Sequence, residues 1–202
     1  MTKSFKFTGK VMNPNSLDLK GLFPFEQVIA RKVLECWPAI QLSPSNTWTK
    51  QLLDCLKQLG RDSGFLVPPF RLGGNTHEEW LFDLVWMEGQ ADPAKRSKQN
   101  KDLVLWEEIL TISRMILACE SEFGNYEADI VEDFMKLVYC NADFRLFLYL
   151  NQQVLHSGIS SGHMDPVDAC MNCCQVQQNQ RYLLIGLPHG KVSEFRIDAW
   201  LR

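Results

Sequence analysis

The sequence predicts an α/β domain built on a central mixed β-sheet flanked by helices. Three observations predict it. WLFDLVWME (residues 80–88) and RMILACESEF (residues 114–123) are nearly continuous apolar runs, the pattern of strands buried on both faces. GNYEADIVEDFMKLVYCN opens with Glu127 and Asp129 in its first turn and then sets Ile130, Val131, Phe134, Leu137 and Val138 on one side, which predicts an amphipathic helix over 126–140. RYLLIGL and SEFRIDAWL, joined by PHGKV, read as a C-terminal β-hairpin.

The remaining elements follow in order. Residues 1–23 show no sustained period and read as an irregular arm with a short strand at 5–7. PFEQVIARKVLECW places Phe25, Val28, Ile29, Val33, Cys36 and Trp37 at helical spacing, and Pro38 is expected to end that helix. SPSNTWTKQLLDCLKQLG offers Asn46 or Thr47 as a cap, an apolar face at Trp48, Leu52, Cys55, Leu56 and Leu59, and a stop at Gly60. FLVPPF is a short strand blunted by Pro68 and Pro69, and RLGGN is a turn. DLVLWEEILTIS (residues 102–113) fits either a helix or a strand, and the helix is preferred. RLFLYL is another buried strand, and a further helix is expected to begin near Asp165 and Pro166. At 202 residues the chain is long enough for one domain with a filled core, and nothing in its length demands two. The expected division is the arm, a core over about 46–150, and a C-terminal helix and hairpin over 160–202.

Composition narrows the function classes. No apolar run approaches the roughly 20 residues that span a bilayer, and MTKSFKFTGKVMNPNS lacks the apolar stretch of a signal peptide, so no membrane partner and a cytoplasmic location are expected. Seven Cys, an odd number set mostly in apolar patterns such as Cys36, Cys55, Cys119 and Cys140, read as free thiols. Cys170, Cys173 and Cys174 have CxxC spacing, but no second pair completes a zinc set and His163 is poorly spaced to join, so small helix residues are the better reading. A net charge of −3 argues against a broad nucleic-acid-binding face. The one basic cluster, Lys95, Arg96, Lys98 and Lys101, lies in a loop that is either a solvated surface or a set of phosphate contacts. There is no Gly-rich phosphate loop, GxSxG or HExxH, and His77, His156, His163 and His189 are isolated.

The acids in the apolar strands carry the functional signal. Asp83 interrupts the first run, and Glu120 and Glu122, two residues apart, share one face at the end of the second. An ionised carboxylate buried without a partner is costly, so such acids are given a cation or a metal or are placed at the mouth of a site. If the two strands are neighbours, the three could converge on a divalent ion, and oxygen-only ligands suit Mg²⁺ or Mn²⁺ rather than zinc. The competing reading is that strand-end acids are satisfied by backbone N–H groups or Arg side chains.

This order of elements, with Asp83 on one strand and Glu120-Ser121-Glu122 on the next, resembles the core of the restriction-endonuclease-like superfamily, the PD-(D/E)xK nucleases, over roughly residues 46–150. The resemblance implies Asp83 and Glu120 as metal ligands, with Glu122, in place of the usual motif Lys, as a ligand or water-positioning base. The motif Pro is replaced by Phe82. Lys136 on the following helix is a candidate for the missing Lys if its side chain reaches back, although a plain surface lysine is the more frequent outcome. Asp133 on that helix and Glu79 before the first strand are reserve acids. The implied activity is Mg²⁺-dependent phosphodiester hydrolysis, with DNA and a divalent metal as partners and a homodimer allowed. The alternative is a non-catalytic protein of the same fold serving as a structural or protein-interaction module.

Overall fold

A computed structural model describes residues 5–11, 19–68, 82–91, 109–124, 127–151, 180–190 and 192–201. Six strands form one mixed sheet: β1 (Phe5–Val11), β2 (Leu84–Ala91), β3 (Ile109–Glu122), β4 (Ala142–Asn151), β5 (Arg181–Pro188) and β6 (Phe195–Leu201), in the order β1-β6-β5-β4-β3-β2. The central three, β3, β4 and β5, run parallel, while β2, β6 and β1 each pair antiparallel with a neighbour. Parallel neighbours need a crossover. Helix α3 (Glu127–Tyr139) supplies the one between β3 and β4, and helices α1 (Pro24–Ile40) and α2 (Trp48–Asp62) pack together elsewhere in the domain.

Strand periodicity sorts the side chains into two layers. Leu117, Cys119, Leu146, Leu148, Leu183, Ile185, Ile197 and Ala199 share one apolar cluster with Ile29, Val33, Trp37, Leu52 and Leu56 of α1 and α2. The alternate positions, Ala118, Phe147, Tyr149, Tyr182, Leu184 and Trp200, cluster instead with Phe134, Leu137 and Val138 of α3. The α3 side is thus largely aromatic, with Phe134 in ring contact with Phe147, Tyr182 and Trp200 at centroid distances of 5.5–6.4 Å. The two acidic segments do pair, and Leu84 lies opposite Cys119.

Several expectations need correction. Residues 5–11 form a full strand rather than an irregular arm with a short one, because the C-terminal β6 offers them a pairing edge, Phe5 opposite Leu201. Pro38 does not end α1: it sits on the exposed side, while buried Trp37 and Ile40 hold the last turn in place and the Gln41 amide still reaches the Trp37 carbonyl at 2.9 Å. Burial of two large apolar side chains, at about 1.5–3 kcal/mol each, is enough to offset the roughly 3 kcal/mol cost of an interior proline. Neither expected cap closes α2, since Thr47 Oγ1 donates back to the Pro44 carbonyl at 2.7 Å and a 3₁₀ turn at Ser45–Thr47 leads into the helix.

Gly60 is not a helix stop but a close-packing point inside α2. A Cβ there would lie 2.6 Å from Trp86 Nε1, and the chain turns instead at Gly64, whose φ is 84°. FLVPPF contributes a single bridge, Leu66 to Met87. Residues 109–113, preferred as helix, are the first part of β3, drawn into the sheet by pairing with Gly89, Gln90 and Ala91. β2 begins at Leu84, so Asp83 stands immediately before the strand rather than within it. The basic loop with Lys95, Arg96, Lys98 and Lys101, the helix expected near Asp165, the Cys170 cluster and Glu79 lie outside the described residues.

Charges taken into the two layers are answered locally. Glu26 in the first turn of α1 meets Arg181 of β5 in a bidentate pair at 2.5 and 2.7 Å and accepts the Phe23 amide at 3.0 Å, with both charged side chains buried. The Arg181 guanidinium also lies 3.4 Å from the centre of the Phe23 ring, a cation–π contact. Arg145 of β4 donates to the carbonyls of Leu137 and Cys140 at 2.9 and 2.7 Å, closing the C-terminal end of α3, where the helix leaves carbonyls without helical partners. Removing one partner of a buried pair strands the other charge, so Arg181→Met should destabilise the protein by about 3–5 kcal/mol. The double variant with Glu26→Leu should recover much of that loss. Urea unfolding of the three proteins measures both, and equal stability of single and double variants would deny the pair its role.

Candidate functional site

The end of β3 brings together acids from three elements. Asp83 comes from the entrance to β2, Glu120 and Glu122 from the last residues of β3, and Asp133 with Lys136 from α3. The antiparallel register explains the first convergence. Leu84 pairs with Cys119, so the residue before β2 meets the residues that follow Cys119. The α3 crossover explains the second, because it lays the helix over the β3 face that carries Ala118 and Glu120.

Each side chain has a distinct setting. Asp83 Oδ2 accepts two hydrogen bonds from Ser121, one from its amide at 2.8 Å and one from its hydroxyl at 2.5 Å, so the carboxylate caps β3 where β2 has not yet begun. Glu120 is buried, and Lys136 Nζ stands 3.9 Å from its Oε1 while making a closer bond, 2.6 Å, to Asp133 Oδ1. Glu122 turns away onto the Gly124 amide. Lys136 therefore belongs to the acidic centre, where its spacing alone favoured a plain surface lysine. Its side chain is 33% exposed against 3% for Glu120, so the centre opens to water on the lysine side.

The electrostatics follow from this packing. Burial raises the Asp83 pKa above the usual carboxylate value, the two Ser121 bonds oppose that shift, Asp133 adds to it and Lys136 reduces it. Glu122 is also raised, by burial first and by the neighbouring Asp133 and Asp129, against the Gly124 amide. For Lys136 burial works downward, yet Asp133, Glu120 and Asp83 outweigh it and the ammonium is held above its ordinary pKa. Burial, with Asp83 and Glu120 nearby, pushes the Cys119 thiol well up and leaves it an inert core group.

Among the described residues no group of three or more His, Cys, Asp or Glu side chains is set to hold a metal ion. Asp83 and Glu120 are a different matter. Mg²⁺ is commonly held by one or two carboxylates together with waters and substrate phosphates, and these are the two acids that could contribute to such a site, since Oδ1 of Asp83 lies outside the two Ser121 bonds. Ser121 was not singled out in the sequence, where it is only the middle residue of E-x-E, and only the strand register reveals what it holds.

The raised acids fix the sign of a pH effect. A carboxyl with a raised folded-state pKa binds its proton more readily folded than unfolded, so it detracts from stability as pH climbs past the unfolded value, here 4.5 for Glu122, and nothing is lost below that value. Lys136 has the opposite sign, its contribution being complete below 10.5 and fading above. In metal-free buffer Glu122→Gln should match the wild type at about pH 3 and exceed its stability at neutral pH. Urea unfolding at the two pH values measures the difference, and a variant that loses ground on going to neutral pH would mean that the charged bond to Gly124 outweighs the repulsion. The chain matches no family model, no curated protein and no solved structure.

Proposed function

We propose that the protein is a Mg²⁺- or Mn²⁺-dependent nuclease of the restriction-endonuclease-like kind, with Asp83 and Glu120 as the metal-binding pair and Lys136 in the place of the motif lysine. The observation that carries this reading is the position of Lys136, whose ammonium is drawn from α3 into the centre formed by Asp83 and Glu120. An acid before one strand, an acid near the end of its neighbour and a lysine beside both are the three groups that the signature requires, here with the lysine supplied by the crossover helix. The order α2, Leu66 bridge, β2, β3, α3, β4 supports the same reading.

The chain's own residues would divide the work simply. Asp83 and Glu120 would hold the cation, which when bound would neutralise charge on the phosphoryl oxygens and acidify a water. Lys136, positively charged at neutral pH and partly open to solvent, would orient an attacking water and offset charge that builds on the phosphate. Glu122, held by the Gly124 amide, stays outside the ligand set and adds to the negative field. Lys95, Arg96, Lys98 and Lys101 would meet the nucleic-acid backbone.

A second reading is favoured by one observation: Asp83 and Glu122 are already satisfied by the amides of Ser121 and Gly124, as expected of a retired centre in a structural or interaction module. Metal and substrate separate the two. For the nuclease, Mn²⁺ raises the melting temperature by mass action, Glu120→Ala removes the shift, and single- or double-stranded DNA is cleaved in the presence of the ion. Lys136→Met should then lower the cleavage rate by about 100-fold or more while the protein stays folded. Absence of both the metal shift and cleavage in the wild type would retire the nuclease reading in favour of the module.

A further inference from the structure

We propose that Cys36 of α1 and Cys55 of α2 form a redox-active pair, which a low-molecular-weight disulfide such as oxidised glutathione closes into an intramolecular disulfide that latches the two helices together. Three features of the geometry carry it. The helices are neighbours that pack against each other, and Trp37, next to Cys36, meets Trp48 of α2 at a ring-centroid distance of 5.4 Å. Both cysteines face this junction, packed against the same apolar cluster as Val33, Leu52 and Leu56, and their thiols are hydrogen-bonded to each other. Both are half-buried, whereas Cys119 and Cys140 are buried, so a small reagent has access to this pair. The pair lies in the layer opposite α3 and is independent of the acidic centre and of the activity proposed for it.

Closure takes two exchanges, each forming one S–S bond as another breaks. Burial first, then the hydrogen bond to Cys55 and the charge of its thiolate, push the Cys36 thiol up to about 12 against a lowering by Lys32, so Cys36 is the poorer first nucleophile. The Cys55 thiolate therefore attacks one sulfur of the small disulfide and expels the other half as a thiolate, leaving a mixed disulfide on Cys55. Its charge and its hydrogen bond to Cys36 are then gone, and with them two of the causes that keep Cys36 protonated. Cys36 gives its proton to solvent and attacks Cys55 Sγ, which forms the protein disulfide and expels the second small thiolate. Two protein thiols are thus oxidised, one small disulfide is reduced to two thiols, and the two protons released by the protein end on them. The link closes a loop of about 20 residues and so restricts the unfolded chain.

Incubation of the folded full chain with oxidised glutathione, followed by alkylation of the remaining thiols and non-reducing peptide mapping by mass spectrometry, tests this. A peptide pair joined through Cys36 and Cys55 is expected, and the melting temperature should rise by about 4–16 °C and fall back on treatment with dithiothreitol. Cys36→Ser should stop at glutathione on Cys55 and show no such rise. Because the link is mapped in the wild type, the result does not depend on how well a variant folds. Wild type that keeps glutathione on either cysteine without closing, that joins either one to a different cysteine, or that leaves both thiols free to be alkylated would overturn the pair. A mapped Cys36–Cys55 link that leaves the melting temperature unchanged or lowers it would overturn the latch.

Discussion

Charge buried beside a sheet has to be answered from within the fold, and the parallel crossover from β3 through α3 to β4 is where this constraint acts most strongly. The crossover places one face of α3 against alternate residues of β3, so an acid that β3 carries on that face comes within reach of a cation on the helix. Glu120 is that acid and Lys136 its counter-charge. The same helix ends against Arg145, whose guanidinium takes the Leu137 and Cys140 carbonyls and also lies over Tyr182, 5.3 Å from the ring centre. Arg145 thus fixes the end of the helix that delivers Lys136. A shift of α3 by one turn, about 5.4 Å, would break the aromatic contacts of Phe134, undo this cap and carry Lys136 out of reach of Glu120 together.

What could be read in the sequence was what depends on near neighbours. The apolar runs that became β3, β4 and β5 and the one-sided pattern of α3 are local signals, and the structure carries them. β1 was mostly missed because its partner is β6, at the opposite end of the chain, and no local pattern announces a pairing over that distance. Residues 109–113 carry a pattern compatible with a helix, and only the edge offered by Gly89, Gln90 and Ala91 decides for a strand. Pro38 misled for a related reason: a proline rule knows the missing N–H but not the burial of Trp37 and Ile40 on either side of it.

The candidate site divides in the same way. Asp83, Glu120 and Glu122 were legible because a carboxylate in an apolar run is conspicuous. Their roles were not, since the register that sets Leu84 opposite Cys119 also decides that Asp83 meets Ser121 while Glu122 goes to Gly124. Lys136 illustrates the limit well. Helical spacing puts it at the margin of an apolar face, and from there a long side chain can reach either water or the sheet. Which one it reaches depends on where the acids of β3 end.

The protein contains its own comparison for deciding what kind of cluster this is. Glu26 and Arg181 form a pair of matched charge, bidentate and sealed, with side chains 1% and 8% exposed, and such a pair has no capacity left for a ligand. The centre around Glu120 differs in each respect. Among the described residues it sets Asp83, Glu120 and Asp133 near the ammonium of Lys136, the contact to Glu120 is a loose 3.9 Å, and the lysine side opens to solvent. Burial and mutual repulsion keep Asp83 and Glu122 above their ordinary pKa values despite the amides that serve them. A cluster kept only for stability gains from matched charge and exclusion of water, as the first pair does. Acids drawn together at an opening repel one another, and a cation held there would relieve that repulsion, which is the physical basis of the proposed metal site.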